Sequence, residues 1–281
     1  MLNIALPKGR MGDKVLKLFS QIGFGELALG EDSRKLVVES PDGRVRYLLV
    51  KPSDVAIYVE RGAADGQLIA VVCDGMGGEN CGQIASSLAV RAFLDELHSV
   101  LRADMTTEQL REAVSFCVSK ANAAVNRHAQ EHTECRGMGT TLVSAVTNGS
   151  GVVICNVGDS RAYHFTREDV SLVTRDHSMV AYMVERGELT QEQAKLHPGK
   201  NVITRAVGTE PEVEGDVFIC KLRKEECILL CSDGLSNEMA DQEMLFEVVH
   251  GMSKSDCCQR LLHIAKKRGA PDNVTVALAA V

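Results

Sequence analysis

Three apolar runs in this chain meet an aspartate at one end. Val71-Val72-Cys73 leads into Asp74-Gly75-Met76-Gly77-Gly78, and Ile228-Leu229-Leu230-Cys231 leads into Ser232-Asp233-Gly234-Leu235-Ser236. Pro271-Asp272-Asn273 opens onto Val274-Thr275-Val276. Unbroken runs of this kind read as buried strands. A glycine next to the carboxylate frees the backbone to turn and to admit a ligand closely. One Asp-Gly pair is an ordinary turn. If the strands share a sheet, however, three such carboxylates converge on one edge, where they repel unless a cation lies among them. A carboxylate beside a carbonyl oxygen is what a hard divalent cation takes.

The rest of the chain fits around these strands. Helical spacing covers Gly82 to Leu101, Thr107 to Gln130, Ser178 to Lys195, Asp241 to Val249 and Ser255 to Lys267. Strands are expected over Thr140 to Val146, Val152 to Val157, Ala162 to Phe165, Val170 to Val173, Asp216 to Lys221, Cys227 to Cys231 and Val274 to Val281. Grouped helices and long strand runs argue for an α+β fold with antiparallel sheets covered by helices. Near the N-terminus a strand is expected over Leu2 to Leu6 and a helix over Met11 to Ile22. A hairpin is expected from Lys35-Leu36-Val37-Val38 through Pro41-Asp42-Gly43 to Val45 to Val50. Ser53 to Asp65 reads either as a capped helix or as a strand that pairs with Leu68 to Val72.

The formal net charge of −7 carries no nucleic-acid footprint, which would need a basic patch. The ten cysteines include no CxxC pair, so they read as buried thiols in a reducing cytoplasm, not as a zinc site. No secretory leader is expected, and no run approaches the ~18 apolar residues of a membrane span.

In order along the chain, DGMGG at Asp74, GMGTT at Gly137, GDSR at Gly158, TRDHS at Thr174, CSDGLS at Cys231 and PDNVTV at Pro271 resemble the type 2C metal-dependent protein phosphatases in their bacterial form, over about Gln67 to Val281. The resemblance implies an α-β-β-α sandwich of two antiparallel sheets flanked by helices. It implies hydrolysis of phosphoserine and phosphothreonine in proteins by a metal-activated water at a site of two Mn²⁺ or Mg²⁺ ions. Asp74, Asp233 and Asp272 match the metal-ligand aspartates, and Gly75 matches the glycine whose carbonyl binds metal. His177 to about Arg205 matches a flap beside the site. Asp159 reads as part of a buried Asp-Arg or Asp-backbone network. The implied partners are phosphoproteins of a bacterial Ser/Thr kinase in the cytoplasm, with neither nucleic acid nor membrane.

The first 55 residues differ. Ile4-Ala5-Leu6-Pro7-Lys8-Gly9-Arg10 and Val50 to Asp65 resemble the start of ATP phosphoribosyltransferase. The expected division is therefore a transferase-like fragment over 1–55 and a phosphatase domain over 56–281. The phosphatases begin instead with a strand carrying an Arg, followed by Asn-Glu-Asp. Asp54, twenty positions before Asp74, is the candidate for the acidic position, with Val55 in place of the second acid. Lys51 is the basic residue nearest to the missing Arg, although a lysine is a point charge where an arginine is a planar fork. The segment Val45 to Val59 is expected to supply the missing strand. Transferase activity would need a Gly/Thr-rich phosphate loop beyond residue 65, and the sequence has none. Two readings remain: an active phosphatase, and a phosphatase-like binding module with impaired catalysis.

Overall fold

The computed structural model describes residues 2–7, 37–39, 45–50, 55–61, 67–77, 79–149, 151–223, 225–250, 254–270 and 272–280. The chain divides into two compact units, Met1–Ser53 and Asp54–Val281. The first contains a three-stranded sheet of β1 (Leu2–Pro7), β2 (Val37–Glu39) and β3 (Val45–Val50), in the order β1-β3-β2. β2 and β3 are antiparallel, as the expected hairpin requires, and β1 runs parallel to β3. The expected helix over Met11 to Ile22 lies outside the described residues.

The second unit begins with β4 (Val55–Arg61), so the ambiguous segment is a strand. Its Val, Ile and Tyr residues favour the pleated conformation. β4 lies antiparallel to β5 (Gln67–Met76), with Val55 opposite Asp74. This corrects one expectation: Val55–Arg61 supplies the added strand, whereas Val45–Val50 pairs with β1 and β2. Helices α1 (Glu79–Val100) and α2 (Thr107–Glu131) follow. α2 starts at a capping box in which the Thr106 hydroxyl accepts from Gln109 N and the Gln109 side chain accepts from Thr106 N. Next come β6 (Gly139–Thr140), β7 (Leu142–Asn148), β8 (Val152–Val157), β9 (Arg161–Phe165) and β10 (Val170–Leu172).

One helix was expected over Ser178 to Lys195, and two short ones are found: α3 (Met179–Glu185) and α4 (Gln191–Leu196). Gly187, at φ +71°, ends the first, and a Thr190–Gln193 capping box starts the second. The remaining elements are β11 (Asp216–Cys220), β12 (Cys227–Cys231), α5 (Asp233–Ser236), α6 (Asp241–His250), α7 (Lys254–Lys267) and β13 (Val276–Ala280).

One sheet runs β11-β8-β7-β5-β4, with β6 attached to β5, and the other runs β10-β9-β12-β13. Every pairing within the two is antiparallel. Side-chain alternation sorts the apolar runs into layers. Ala70, Val72, Ala145 and Ile154 of the first sheet meet Ala162, Ile228, Leu230 and Ala277 of the second. The opposite face of the first sheet, with Ile69, Val71 and Cys73, packs on Phe93, Leu97, Leu110 and Val114 of α1 and α2. Leu229 and Cys231 face Met244 and Leu261 of α6 and α7. The structure is the α-β-β-α sandwich, and it explains the unbroken apolar runs: central strands are covered on both faces.

Ile154 is fully buried between the sheets. Ile154→Ala is expected to destabilise the protein by about 2–5 kcal/mol and Ile154→Val by about 0.5–1.5 kcal/mol, read from urea unfolding midpoints at constant m.

Candidate metal centre

Asp74 sits at the end of β5, where its backbone is held on both sides. Its N–H donates to Thr141 Oγ1 at 2.9 Å, and its carbonyl accepts from Thr141 N and Thr140 Oγ1, both at 2.8 Å. The two threonines of GMGTT therefore fix the carboxylate-bearing residue. Gly75 pairs with Thr140 across β5 and β6. Thr141 Oγ1 also lies 2.7 Å from Ser160 Oγ, which ties the Asp74 strand to the GDSR turn. Gly158 in that turn has φ +104°, and a Cβ there would meet Thr141 Cγ2 at 2.7 Å. Only glycine fits this approach.

Asp233 and Asp272 are joined through their neighbours. Ser232 Oγ donates to the Asn273 carbonyl at 2.9 Å and accepts from Thr275 N at 3.0 Å, while Ser232 N donates to Thr275 O at 3.1 Å. A Cβ on Gly234 would lie 2.4 Å from Asn273 O, so the two turns are in backbone contact. Asp233 Oδ2 accepts from Asn237 Nδ2 at 3.1 Å, and Asn273 N donates to Asp272 Oδ1 at 2.7 Å. Burial, and then the charge of Asp272, push the Asp233 carboxyl up.

Asp159 lies in the buried network expected of it, where its own backbone N–H and the Arg161 charge favour its ionised form. The Arg161 guanidinium grips Asp176, with Nε 2.9 Å from Oδ1 and Nη2 2.7 Å from Oδ2, and its Nη1 donates to the Tyr163 hydroxyl at 3.1 Å. Asp159 also faces like charges. Burial first, then Asp233 and Asp176, push it up to about 7.

The flap from His177 to Arg205 is closed at its base by one carboxylate. His177 Nε2 lies 3.2 Å from Asp216 Oδ2, and Arg205 Nη1 donates to Asp216 Oδ1 at 2.7 Å. The His177 contact is electrostatic, because its angle leaves Nε2 without a well-formed hydrogen bond. His177 Nδ1 accepts from Gly158 N at 3.1 Å, and burial pushes the ring's pKa down, which keeps that nitrogen free to accept. Thr204 N donates to His177 O, and Met179 N to Val202 O, both at 2.8 Å. The flap thus leaves the body from the GDSR turn.

Lys51 and Asp54 lie outside the described residues. Among the described residues, no three His, Cys, Asp or Glu side chains form a group able to hold an ion unaided. The donor chemistry nevertheless fits a hard cation: every candidate is a carboxylate or a carbonyl oxygen, and Asp159 and Asp233 carry repulsion that positive charge would relieve. No helix among the described residues is long and apolar enough to cross a membrane.

The Protein phosphatase 2C family profile matches residues 57–267. The serine/threonine phosphatase stp of Listeria welshimeri is 37% identical over 214 residues, which span 76% of this chain and 84% of that protein. A crystal structure of a bacterial serine phosphatase superposes with a TM-score of 0.74 at 35% identity, covering 82% of this chain and 92% of its own. The catalytic domain of the phosphatase PstP in complex with two manganese ions gives 0.68 at 30% identity, covering 81% and 91%.

Two outcomes follow from this geometry. The raised carboxyl of Asp159 favours the fold fully below about pH 4, and that contribution is lost as pH rises through about 7. With chelator present, the melting temperature is expected to fall across this window. Asp159→Asn flattens the fall and melts higher at pH 8, whereas an unchanged slope would contradict the assignment. Asp216→Ala removes the clasp at the flap base. Trypsin cleavage at Arg186, Lys195 and Lys200 is then expected to quicken about tenfold, as the loss of charge-assisted hydrogen bonds implies.

Proposed function

The chain belongs to the protein phosphatase 2C family, and on that premise we propose that it removes phosphate from serine and threonine residues of proteins with the help of two Mn²⁺ or Mg²⁺ ions. The observation that carries the reading is electrostatic. Burial and then the charge of Asp272 raise the Asp233 carboxyl, burial and then the charge of Asp233 raise that of Asp159, and the Arg161 fork closes on Asp176. Asp74, Asp233 and Asp272 are the proposed carboxylate ligands, and Gly75 offers its carbonyl. Asp54 is the proposed further acid, because its neighbour Val55 stands opposite Asp74 in the strand register. Lys51 is proposed to hold a phosphate oxygen.

When bound, two such cations supply an activated water and offset the charge gathering on phosphate oxygens. The chain's own part is to hold the carboxylates in place. Thr140 and Thr141 fix the backbone at Asp74, and the Ser232–Thr275 pairing fixes the backbone beside Asp233. No side-chain nucleophile is needed. Burial pushes the thiol beside each carboxylate up, with Cys231 reaching about 12 and Cys73 rising further, so neither is a thiolate at neutral pH.

The proposed substrates are phosphoproteins of a bacterial Ser/Thr kinase, met in the cytoplasm. The flap between His177 and Arg205 is proposed to select the substrate peptide. The first 55 residues are proposed to be a fragment similar to ATP phosphoribosyltransferase, fused where the phosphatase's first strand belongs. One observation favours the second reading, a binding module: Val55, not an acid, stands opposite Asp74.

Mn²⁺-dependent hydrolysis of p-nitrophenyl phosphate separates the readings. The intact chain is expected to be active, and Asp233→Ala and Asp54→Ala are each expected to lower kcat/KM by at least about 100-fold. Full activity in Asp54→Ala would remove that residue from the site. An inert intact chain, folded and saturated with Mn²⁺, would leave the binding module.

A further inference from the structure

The sulfurs of Cys81 and Cys135 lie 2.6 Å apart. Cys81 is half-buried in the first turn of α1, and Cys135 is 3% exposed at the end of the short 3₁₀ turn Thr133–Cys135. Cys81 Sγ also donates to the Glu134 carbonyl at 3.3 Å. The two segments touch again through their backbones, since a Cβ on Gly77 would lie 3.1 Å from Met138 Cα. We propose that Cys81 and Cys135 are a redox pair, closing to a reversible disulfide that staples the start of α1 to the segment leading into β6.

The inference uses only the two thiols and their setting, and it does not depend on the phosphatase reading. A disulfide places its sulfurs ~2.0 Å apart, so closure needs a shift of about half an ångström. The oxidant is a hydroperoxide. The Cys81 sulfur attacks one peroxide oxygen, the O–O bond breaks, and the other oxygen leaves with a proton as water or an alcohol. Cys81 is then a sulfenic acid. The Cys135 sulfur attacks it, the S–O bond breaks, and a second water leaves as the S–S bond forms. In sum, two thiols give up two electrons and two protons, and one peroxide is reduced.

The order of events follows from position. Cys81 is half-buried and meets solvent, so it is the sulfur that a hydroperoxide reaches first. Cys135 is enclosed, and its hydrogen bond with Cys81, more than burial, pushes its thiol up. It is the resolving partner. The bridge would close a loop holding most of α1 and all of α2, the helical layer over the first sheet.

The test is peptide mapping of the intact, folded chain under non-reducing conditions after treatment with hydrogen peroxide. A Cys81–Cys135 cross-linked peptide is expected, with a melting temperature higher by about 5–10 °C that dithiothreitol reverses. Cys81→Ser and Cys135→Ser are each expected to abolish the rise. Cys81 found as sulfinic acid, or either cysteine linked elsewhere, would overturn the proposal. So would a cross-link formed only after unfolding. The mapping of the unaltered chain decides the matter even if a serine variant fails to fold.

Discussion

Carboxylates brought together at strand ends repel one another, so a fold that gathers them must hold each by its backbone. Thr141 does most of this. It is 4% exposed, and it accepts from Asp74 N, donates to Asp74 O and meets Ser160 Oγ. One threonine thereby joins two acidic strand ends. Ser232 does the same in the other sheet, linking β12 to the turn before β13. These neutral hydrogen bonds run through hydroxyls and backbone groups, so they hold the strand ends without drawing on the carboxylates. They are also buried, where a hydrogen bond is electrostatically stronger and its loss more costly.

The positive charge near this edge is spent in a particular way. Arg161 would lower the repulsion most if it paired with Asp159, yet its fork closes on Asp176. Burial works against the charged guanidinium, and the hydrogen bonds and charges of Asp176 and Tyr163 together more than offset it. A two-pronged pair of this kind fixes direction as well as distance. It holds the TRDHS segment against β9, and His177, the next residue after Asp176, begins the flap. The flap's two ends then return to Asp216. A rigid anchor beside a clasp of two contacts lets the flap vary in sequence without disturbing the acidic edge.

The sandwich was legible in the sequence because its signals are local and repeated. Apolar runs such as Cys227 to Cys231 are strands buried on both faces, and helical spacing located α1 and α2 to within a few residues. The break between α3 and α4 was visible in Gly187 and Thr190, but apolar spacing carried across it concealed the turn. The partner of Arg161 was hidden for a different reason. An aspartate two residues before an arginine suggests a local pair, and the arginine's true partner lies fifteen residues on, in the TRDHS segment. Sequence distance says nothing about which acid a guanidinium chooses when both are brought near by the fold. The Cys81–Cys135 approach was equally hidden, because it depends on how α1 and the 3₁₀ turn meet.

The N-terminal boundary separates what folding needs from what chemistry needs. β5 requires a hydrogen-bonding neighbour on its open side, since an unpaired edge invites association with other chains. β4 meets that need from Val55 to Arg61 with residues suited to a strand, whatever acids precede it. Backbone pairing accepts nearly any side chain, so a foreign segment can complete the sheet. A metal site accepts only oxygen donors, and the position facing Asp74 holds Val55. The pairing of β4 with β5 therefore completes the sheet without fixing which acids stand at its edge.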